Sequence, residues 1–310
     1  MLAAAALCLP LAGASGCAVQ TRRIAATPPP GLPRRVEHAG TPFFADDDYY
    51  CGPAALATVL TAAGSAVRPQ ALIGDVFVPG RKGSLQLEML AGARRHGAVA
   101  TPIPGTLEAL LREIAAGNAV VVLQNLGLTW APSWHYAVAI GYDLDAGHVL
   151  LRSGPIARQA LALRTFEHTW ARGGHWAFVA LPPGRLPATA DEPEATRALV
   201  AFERSADPQA AVRAYAAALA RWPHSLTLAM GLGNAHYAAG EHAAAEQVFR
   251  AAAHRHDAPA AYNNLAVLLF ERGEREAASL AARHALRQGG PHAGAARKTL
   301  EMIESATPAR

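Results

Sequence analysis

The chain has 310 residues, of which 51% are hydrophobic and 6% aromatic, and its formal net charge is +4 at pH 7. This length allows about two domains, each with a sizeable core. The positive charge is spread thinly and no run of Lys and Arg is interleaved with aromatic residues, which argues against a nucleic-acid-binding protein.

The N-terminal segment is apolar and contains a cysteine preceded by small residues. Residues 1–16 are too few to span a bilayer as a helix but suit the hydrophobic region of a signal peptide. Ala14, Ser15 and Gly16 precede Cys17, a pattern that resembles the bacterial lipobox, in which the cysteine becomes the acylated N-terminus. We expect residues 1–17 to be a signal peptide with lipobox and Cys17 to be lipidated. The alternative is an ordinary secretory signal cut nearby.

Cleavage at Cys17 would leave Cys51 as the one unmodified cysteine. Gly52, Pro53 and a run of small and apolar residues over 54–60 follow it and predict a helix. A thiol at a helix N-terminus faces unpaired backbone N–H groups and the positive end of the helix dipole, so we expect a lowered thiol pKa. Cys51 is therefore a candidate nucleophile. The alternative is a buried structural cysteine.

His135 is the second candidate, because it opens a strand-like run over residues 135–142. A cysteine before a helix, followed by a histidine that opens a later strand, is the order of a cysteine-nucleophile hydrolase. In that chemistry the histidine is the general base. The alternative is a strand-end histidine whose ring bonds a backbone carbonyl.

The remaining pattern up to residue 182 predicts an α+β domain. A proline-rich stretch at 27–33 indicates an extended tether over residues 18–35. Helices are expected at 54–60, 69–76, 85–96 and 106–116, and strands at 119–123, 135–142, 148–152 and 175–181. Helices first and antiparallel strands after them give an α+β layout over residues 36–182.

Beyond a linker over residues 183–194, a repeat appears. Leu232, Gly240 and Ala245 recur 33 residues later as Leu265, Gly273 and Ala278. Such spacing is typical of packed antiparallel helix pairs and matches the tetratricopeptide pattern. We predict an all-α tetratricopeptide-repeat domain over residues 195–310, with a capping helix from Arg283 and a protein partner. The alternative is an irregular Ala-rich bundle.

Residues 42–181 resemble the bacteriocin-processing peptidase-like family, papain-fold proteases best known for cutting leader peptides after a double glycine. Residues 48–56 around Cys51 and residues 134–138 around His135 carry the resemblance. The whole chain resembles a group of proteobacterial lipoproteins that join such a domain to tetratricopeptide repeats. The implied fold is an α+β papain-like cysteine peptidase domain followed by an all-α repeat domain. We expect a peptide or protein substrate, a periplasmic location with a lipid anchor (at the outer membrane), and no cofactor or metal.

The resemblance also implies a role for individual residues. Cys51 would be the nucleophile, and His135 would be the base that later protonates the leaving amine. The family has a glutamine five or six residues before the cysteine as an oxyanion donor, where this chain has Ala45 and Asp46. An ionised Asp46 cannot donate a hydrogen bond and would raise the barrier. Gln124 could substitute, or it is an ordinary strand-end amide.

The family's third residue, an Asp on the strand after the histidine, is replaced here by Ser153. A hydroxyl can orient an imidazole but cannot stabilise an imidazolium as a carboxylate does. Three functions stay open: a weakened cysteine peptidase, a non-catalytic peptide-binding module, and an acyl or amide transferase. Residues 46–48 are interpreted as a solvated acidic loop rather than a cation site, and the histidines of residues 254–256 lack the partners of a zinc site. The tryptophans are expected to pack in or beside the core unless they line a cleft: Trp130, Trp134, Trp170 and Trp176.

Overall fold

A computed structural model describes residues 18–46 and 49–306. Cys17, Asp47 and Asp48 lie outside the described residues, so the predicted lipobox and two members of the acidic stretch have no structural account. The chain divides into two compact units. The first holds residues up to 62 with 67–85 and 102–179, and the second holds 63–66, 86–101 and the residues from 180 onward.

Helices and short strands open the described chain, longer strands follow, and helices close it. The opening elements are α1 (Val19–Ala26), β1 (Arg35–Glu37), α2 (Cys51–Ala62), α3 (Pro69–Val76), β2 (Phe77–Val78), β3 (Gly83–Ser84), α4 (Gln86–Arg95) and β4 (Val99–Pro102). The middle elements are α5 (Leu107–Ala115), β5 (Val120–Asn125), β6 (Trp134–Asp143), β7 (His148–Ser153), β8 (Ile156–Ala162), α6 (Leu163–Arg172) and β9 (Ala177–Leu181). The closing helices are α7 (Glu192–Glu203), α8 (Pro208–Arg221), α9 (Leu226–Ala238), α10 (His242–His256), α11 (Pro259–Glu271), α12 (Arg275–Gln288) and α13 (Ala293–Ser305).

The first unit is built on an antiparallel sheet in the order β9-β5-β6-β7-β8, and β1 also pairs with β6. Every residue of β5 is buried, which explains its unbroken apolar run over 120–123. The register sets Gln124 opposite His135 and Val138 opposite Arg152. Helices before antiparallel strands confirm the predicted α+β class.

Helix α2 is the buried helix of this unit. All residues from Cys51 to Leu60 are buried, because the run contains small and apolar side chains on every side. Pro53 fits in the first turn, where a backbone N–H would have no partner within the helix. The first helical bond runs from the N–H of Ala54 to the carbonyl of Tyr50 at 3.0 Å. Cys51 therefore lies at the start of a buried helix.

Residues 19–26 form helix α1, so the prediction of an extended tether over 18–35 is wrong for this part. The carboxylate of Glu167, a side chain only 5% exposed, accepts hydrogen bonds from the N–H groups of Gln20 at 3.0 Å and Thr21 at 2.7 Å. A carboxylate at this end satisfies unpaired N–H groups and favours the helix dipole. The partner is far away in sequence, which is why the local pattern gives no helix. The proline-rich residues 27–33 have no helix or strand, but a turn at Pro30 and Gly31 interrupts the predicted extended course.

Strand β8 and helix α6 are absent from the predicted elements. Strand β8 pairs with β7 and is mostly exposed, so it lacks an apolar pattern. Helix α6 does carry a helical apolar spacing, since Leu163, Phe166 and Trp170 are its buried large side chains. That spacing could have revealed the helix from the sequence.

In the second unit, helices α9 to α12 form the predicted repeating pairs. A Cβ atom added at Gly233 would lie 2.4 Å from the ring of Phe249, so glycine is what lets the two helices approach. One repeat later, Ala266 and Ala282 occupy the corresponding places, and both are fully buried. The small-residue pattern therefore marks the helix contacts, as expected for a repeat.

The predicted start of the capping helix is wrong. Arg283 lies inside α12, and the last helix is α13, because Gly289 and Gly290, both at positive φ, end α12. Residues 86–101, which the sequence places in the first domain, group with the second unit. Val99 joins a core cluster with Leu199, and the order of residues along the chain cannot reveal which core a segment joins.

Helix α7 begins at Glu192, inside the predicted linker, with Asp191 as its N-cap. Across the described residues, no helix combines the length and the apolar character that a membrane span requires.

Candidate active site

Cys51 lies at the first position of α2 and is 8% exposed. In the described part of the chain it is a free thiol. A small pocket that is partly open to solvent lies beside the thiol. Its polar lining comes from these side chains: Asp46, Cys51, Thr58, Tyr136, Arg152 and Ser153. The candidate nucleophile therefore has a route to solvent on one side.

Ser153, the candidate orienting residue, lies beside the imidazole of His135. The imidazole Nε2 of His135 and the hydroxyl Oγ of Ser153 share a hydrogen bond of 2.9 Å. His135 is the second residue of β6 and Ser153 the last residue of β7, so the antiparallel pairing of the two strands brings these side chains together. The hydroxyl therefore orients the imidazole, while the catalytic role of Ser153 stays a prediction.

Asp46 completes a tight cluster with the thiol and the imidazole. One carboxylate oxygen of Asp46, Sγ of Cys51 and a ring nitrogen of His135 all lie within 4.8 Å of one another. The three residues come from a loop, the start of α2 and the start of β6, which only the fold brings together. A carboxylate thus stands beside the nucleophile, where the resemblance implies a neutral amide donor.

The pKa of the Cys51 thiol is raised above its ordinary value, chiefly because burial disfavours the thiolate. The backbone N–H of Tyr136 donates a hydrogen bond that lowers the pKa, while the negative charge of Asp46 raises it further. The predicted lowering of this pKa at a helix N-terminus is therefore wrong. The helix position and its N–H donors are present, but burial and the carboxylate outweigh them.

Burial also lowers the pKa of the His135 imidazole. A raised thiol pKa and a lowered imidazole pKa both disfavour the ion pair of thiolate and imidazolium. The resting site at neutral pH therefore holds a thiol beside a neutral imidazole. In this state the imidazole must remove the thiol proton during the reaction rather than before it.

Gln124 does not reach the site as a substitute oxyanion donor. Its side chain is 1% exposed, and its amide nitrogen donates to Oγ1 of Thr169 at 2.6 Å. Thr169 belongs to α6, an element that the sequence pattern did not predict. Gln124 is also not among the residues lining the pocket beside Cys51. The alternative stated for it, an ordinary strand-end amide, is the one the structure supports.

Arg152 is a contributor to the site that sequence reasoning missed. Its guanidinium donates to the carbonyl oxygens of Thr41 at 2.7 Å and Ala39 at 2.9 Å, so it holds the chain that leads to Asp46. The side chain also lines the pocket beside Cys51. Arg152 stands directly before Ser153, and this charged residue within a strand is the signal that could have indicated it.

The tryptophans separate into core and surface residues. Trp170 is fully buried, as expected for core packing. Trp130 is 83% exposed and lies in the connection between β5 and β6, while Trp134 is 56% exposed and opens β6 directly before His135. Leu126 and Leu128 in the same connection are also more than half exposed. An exposed apolar segment therefore leads into the candidate base.

Comparisons with known proteins match two families along the chain. Residues 33–177 match the Peptidase_C39 like family, and residues 196–261 match a tetratricopeptide repeat family. The chain thus combines a C39-peptidase-like domain with tetratricopeptide repeats, and the predicted fold class is confirmed. No curated protein matches the chain at a significant level.

Two solved structures are similar to this chain. A protein from Bacillus anthracis assigned as a C39-like peptidase is 20% identical with a TM-score of 0.39, over 47% of this chain and 97% of that one. A double glycine motif protease from an AMS/PCAT transporter, solved with its leader peptide, is 18% identical with a TM-score of 0.35, over 46% of this chain and 91% of that one.

Proposed function

We propose that the first domain is a slow cysteine peptidase and that the repeats hold a protein partner or part of the substrate. The observation that carries this proposal is the spatial arrangement of the side chains of Cys51, His135 and Ser153. A thiol at a helix start lies within 4.8 Å of an imidazole nitrogen, and the hydroxyl of Ser153 orients that imidazole at 2.9 Å. This is the geometry of a nucleophile, its base and an orienting group.

In the proposed reaction, Nε2–H of His135 donates to Ser153, so Nδ1 carries the free lone pair that accepts the thiol proton. The sulfur of Cys51 then attacks the peptide carbonyl carbon, and the carbonyl electrons move onto oxygen. The N–H of Cys51, at the start of the helix, donates to that oxyanion. The imidazolium protonates the leaving amine, and water hydrolyses the thioester.

The proposed rate is low because two residues leave the charges of the transition state poorly stabilised. Asp46 places a carboxylate near the thiol, where an oxyanion donor is needed. Removing one oxyanion donor costs about 3 kcal/mol in proteases, which corresponds to a rate loss of about 100-fold. Ser153 in place of a carboxylate leaves the imidazolium less stabilised. Together these changes leave a functional but inefficient arrangement.

The second candidate function is a peptide-binding module without catalysis. The observation that favours it is the same Asp46 carboxylate, since its charge raises the pKa of Cys51 and opposes an oxyanion. In this alternative the exposed apolar segment around Trp130 and Trp134 and the repeats supply the binding surfaces.

Substitution of Asp46 separates the two functions. We expect Asp46→Gln to raise turnover of an activated peptide ester at least about tenfold, because a neutral amide donor replaces a carboxylate. Cys51→Ala should abolish turnover, and Gln124→Ala should leave it unchanged because Gln124 bonds Thr169. If every variant binds the same peptide equally and no variant hydrolyses it, the domain is a recognition module.

The exposed apolar side chains suggest which peptides the site accepts. Trp130 and Trp134 precede the base in sequence, so we propose that extended peptides with apolar residues bind along this edge. Cleavage after a double glycine is the finer specificity that the resemblance implies. A peptide panel with and without a double glycine before the scissile bond tests it.

We also propose that the protein is lipid-anchored through Cys17 on the periplasmic side of the cell envelope. The support for this proposal is the run of small residues before Cys17.

A further inference from the structure

The cluster of Asp46, Cys51 and His135 contains three different kinds of metal donor. Sγ of Cys51, a ring nitrogen of His135 and a carboxylate oxygen of Asp46 converge within 4.8 Å. Thiolate, imidazole and carboxylate are the donors found around Zn²⁺. Mg²⁺ and Ca²⁺ prefer oxygen donors throughout, so the thiol and the imidazole exclude them as preferred occupants.

The distances in the cluster are close to those a zinc ion requires. With bonds of about 2.0–2.3 Å in a tetrahedron, neighbouring donor atoms lie about 3.3–3.7 Å apart. The donors are separated by no more than 4.8 Å, so each has to move by about 1 Å or less. Asp46 lies on a loop rather than within a helix or strand, and a rotation of its side chain supplies a movement of this size.

The surroundings of the imidazole fit a metal ligand. Zinc-bound histidines usually donate their second ring N–H to an oxygen, which fixes the tautomer and the ring orientation. The hydrogen bond between Nε2 of His135 and Oγ of Ser153 at 2.9 Å provides that oxygen. It leaves Nδ1 as the nitrogen that binds the ion.

The charges balance when the ion is bound. Cys51 loses its proton to solvent, so the thiolate and the Asp46 carboxylate together neutralise a divalent ion. Arg152 also lines this pocket, but its guanidinium donates to the carbonyl oxygens of Ala39, Thr41 and Ala157. These carbonyls offset part of the repulsion between the guanidinium and the metal.

We propose that Asp46, Cys51 and His135 form a Zn²⁺-binding site with a fourth position open to solvent. Asp46, which stands where the resemblance implies an oxyanion-donating glutamine, thus supplies the third ligand. Bound zinc occupies the sulfur and the imidazole lone pair that the peptidase reaction needs, so it holds the enzyme in a reversibly blocked state. The binding stands independently of catalysis, whereas the blocking rests on the proposed function.

The test of binding uses the untagged full-length protein and Co²⁺ as a spectroscopic probe. We expect one equivalent of Co²⁺ to give a thiolate-to-cobalt charge-transfer band, which Zn²⁺ abolishes by displacement. Cys51→Ala should lose the band. Asp46→Gln and Asp46→Asn should each weaken Zn²⁺ binding at least about tenfold. Even the loss of a residue that only hydrogen-bonds to a metal ligand lowers metal affinity about 10- to 100-fold.

His284→Ala is the matched control, because His284 lies in α12, bonds the carboxylate of Asp257 at 2.9 Å and is not a member of the cluster. We expect it to leave the cobalt band and the Zn²⁺ affinity unchanged. A wild-type protein without the band overturns the proposal. Unchanged Zn²⁺ affinity in both folded Asp46 variants overturns it equally, since Asp46 is then not a ligand.

Hydrolysis is measured separately, on protein treated with a chelator and then with Zn²⁺. Turnover that Zn²⁺ suppresses in the wild type, and suppresses at least tenfold less potently in Asp46→Gln, supports the blocked state. A cobalt band without hydrolysis in any variant supports the metal site and contradicts the peptidase function. Hydrolysis without a band contradicts the metal site and leaves the peptidase function standing.

Discussion

At the scale of single residues, the chemistry of this site depends on what surrounds one thiol. The start of α2 and the N–H groups of Tyr136 and Gly52 favour the thiolate of Cys51. Burial and the charge of Asp46 disfavour it, and they prevail. Burial acts on the whole charged group, while each N–H donor compensates only part of that loss. A nucleophile motif therefore does not guarantee a preformed nucleophile.

This balance predicts the alkylation behaviour of Cys51. Because iodoacetamide reacts with the thiolate, a raised pKa predicts slower labelling near neutral pH than for a cysteine in an unstructured peptide. The rate should rise with pH and reach its midpoint above the ordinary value of 9.0. Asp46→Asn should move the midpoint to lower pH, because it removes a negative charge near the sulfur. Mass spectrometry of the Cys51 peptide follows the labelling.

The urea-unfolded protein is the control for this measurement, and Cys51 should then react like the peptide cysteine. Labelling of the folded protein that is faster than the peptide near neutral pH would contradict a raised pKa.

At the scale of elements, close helix packing in the repeats depends on matched pairs of side chains. Gly233 in α9 faces the ring of Phe249 in α10, and Phe249 is 2% exposed. In the following pair, Ala266 in α11 and Ala282 in α12 stand at the same places. From one pair to the next, the first position changes from Gly to the larger Ala, and the facing position changes from Phe to the smaller Ala. Ridge-into-groove packing requires such compensation.

This matching predicts a coupled pair of substitutions. Gly233→Ala places a Cβ atom 2.4 Å from the Phe249 ring, and such overpacking costs about 1–3 kcal/mol. Alanine gains about 1 kcal/mol in helix propensity, which does not offset a clash with a buried ring. We expect a net loss in the free energy of unfolding of the repeat helices, measured by urea denaturation with circular dichroism.

The double variant Gly233→Ala with Phe249→Ala copies the pair found one repeat later. It should be less destabilised than the sum of the two single variants, by about 1 kcal/mol. Ala266→Gly is the control and should lose helix propensity without any coupling to Phe249. Strict additivity of the two substitutions would contradict the packing described here.

At the scale of the whole molecule, the proposed anchor is the N-terminal segment at Cys17. Helix α1 is fixed by Glu167, and Ala18 at its start is 5% exposed. A lipid on Cys17 would therefore be attached directly beside a structured part of the protein rather than at the end of a long extended tether.

We predict that a palmitate analogue labels the wild-type protein in cells and does not label Cys17→Ser. The reason is that Cys17 is the cysteine of the proposed lipobox. Cys51→Ala is the matched control and should keep the label, since Cys51 is buried within the first domain. Gel fluorescence of membrane and soluble fractions reads out both results. A label that survives in Cys17→Ser would contradict the lipobox.

The sequence by itself determined the features that depend on local pattern. The apolar run of β5, the helix after Cys51 and the small-residue period of the repeats all report burial on a fixed face. Such burial imposes a regular spacing of apolar residues that can be recognised in the sequence. Cys51 and His135 could be identified for the same reason, since each stands at the boundary of a well-marked element.

Tertiary structure alone decided what depends on distant partners. Hydrogen bonds to the Glu167 carboxylate stabilise the helix over residues 19–26. The packing of Val99 groups its segment with the second unit. The hydrogen bond to Thr169 holds the Gln124 side chain away from the site. The fold also brings the loop residue Asp46 close to Cys51 and His135. Hydrogen bonds, desolvation and charge act over a few ångströms in space, and the residues that impose them are separated by many positions along the chain.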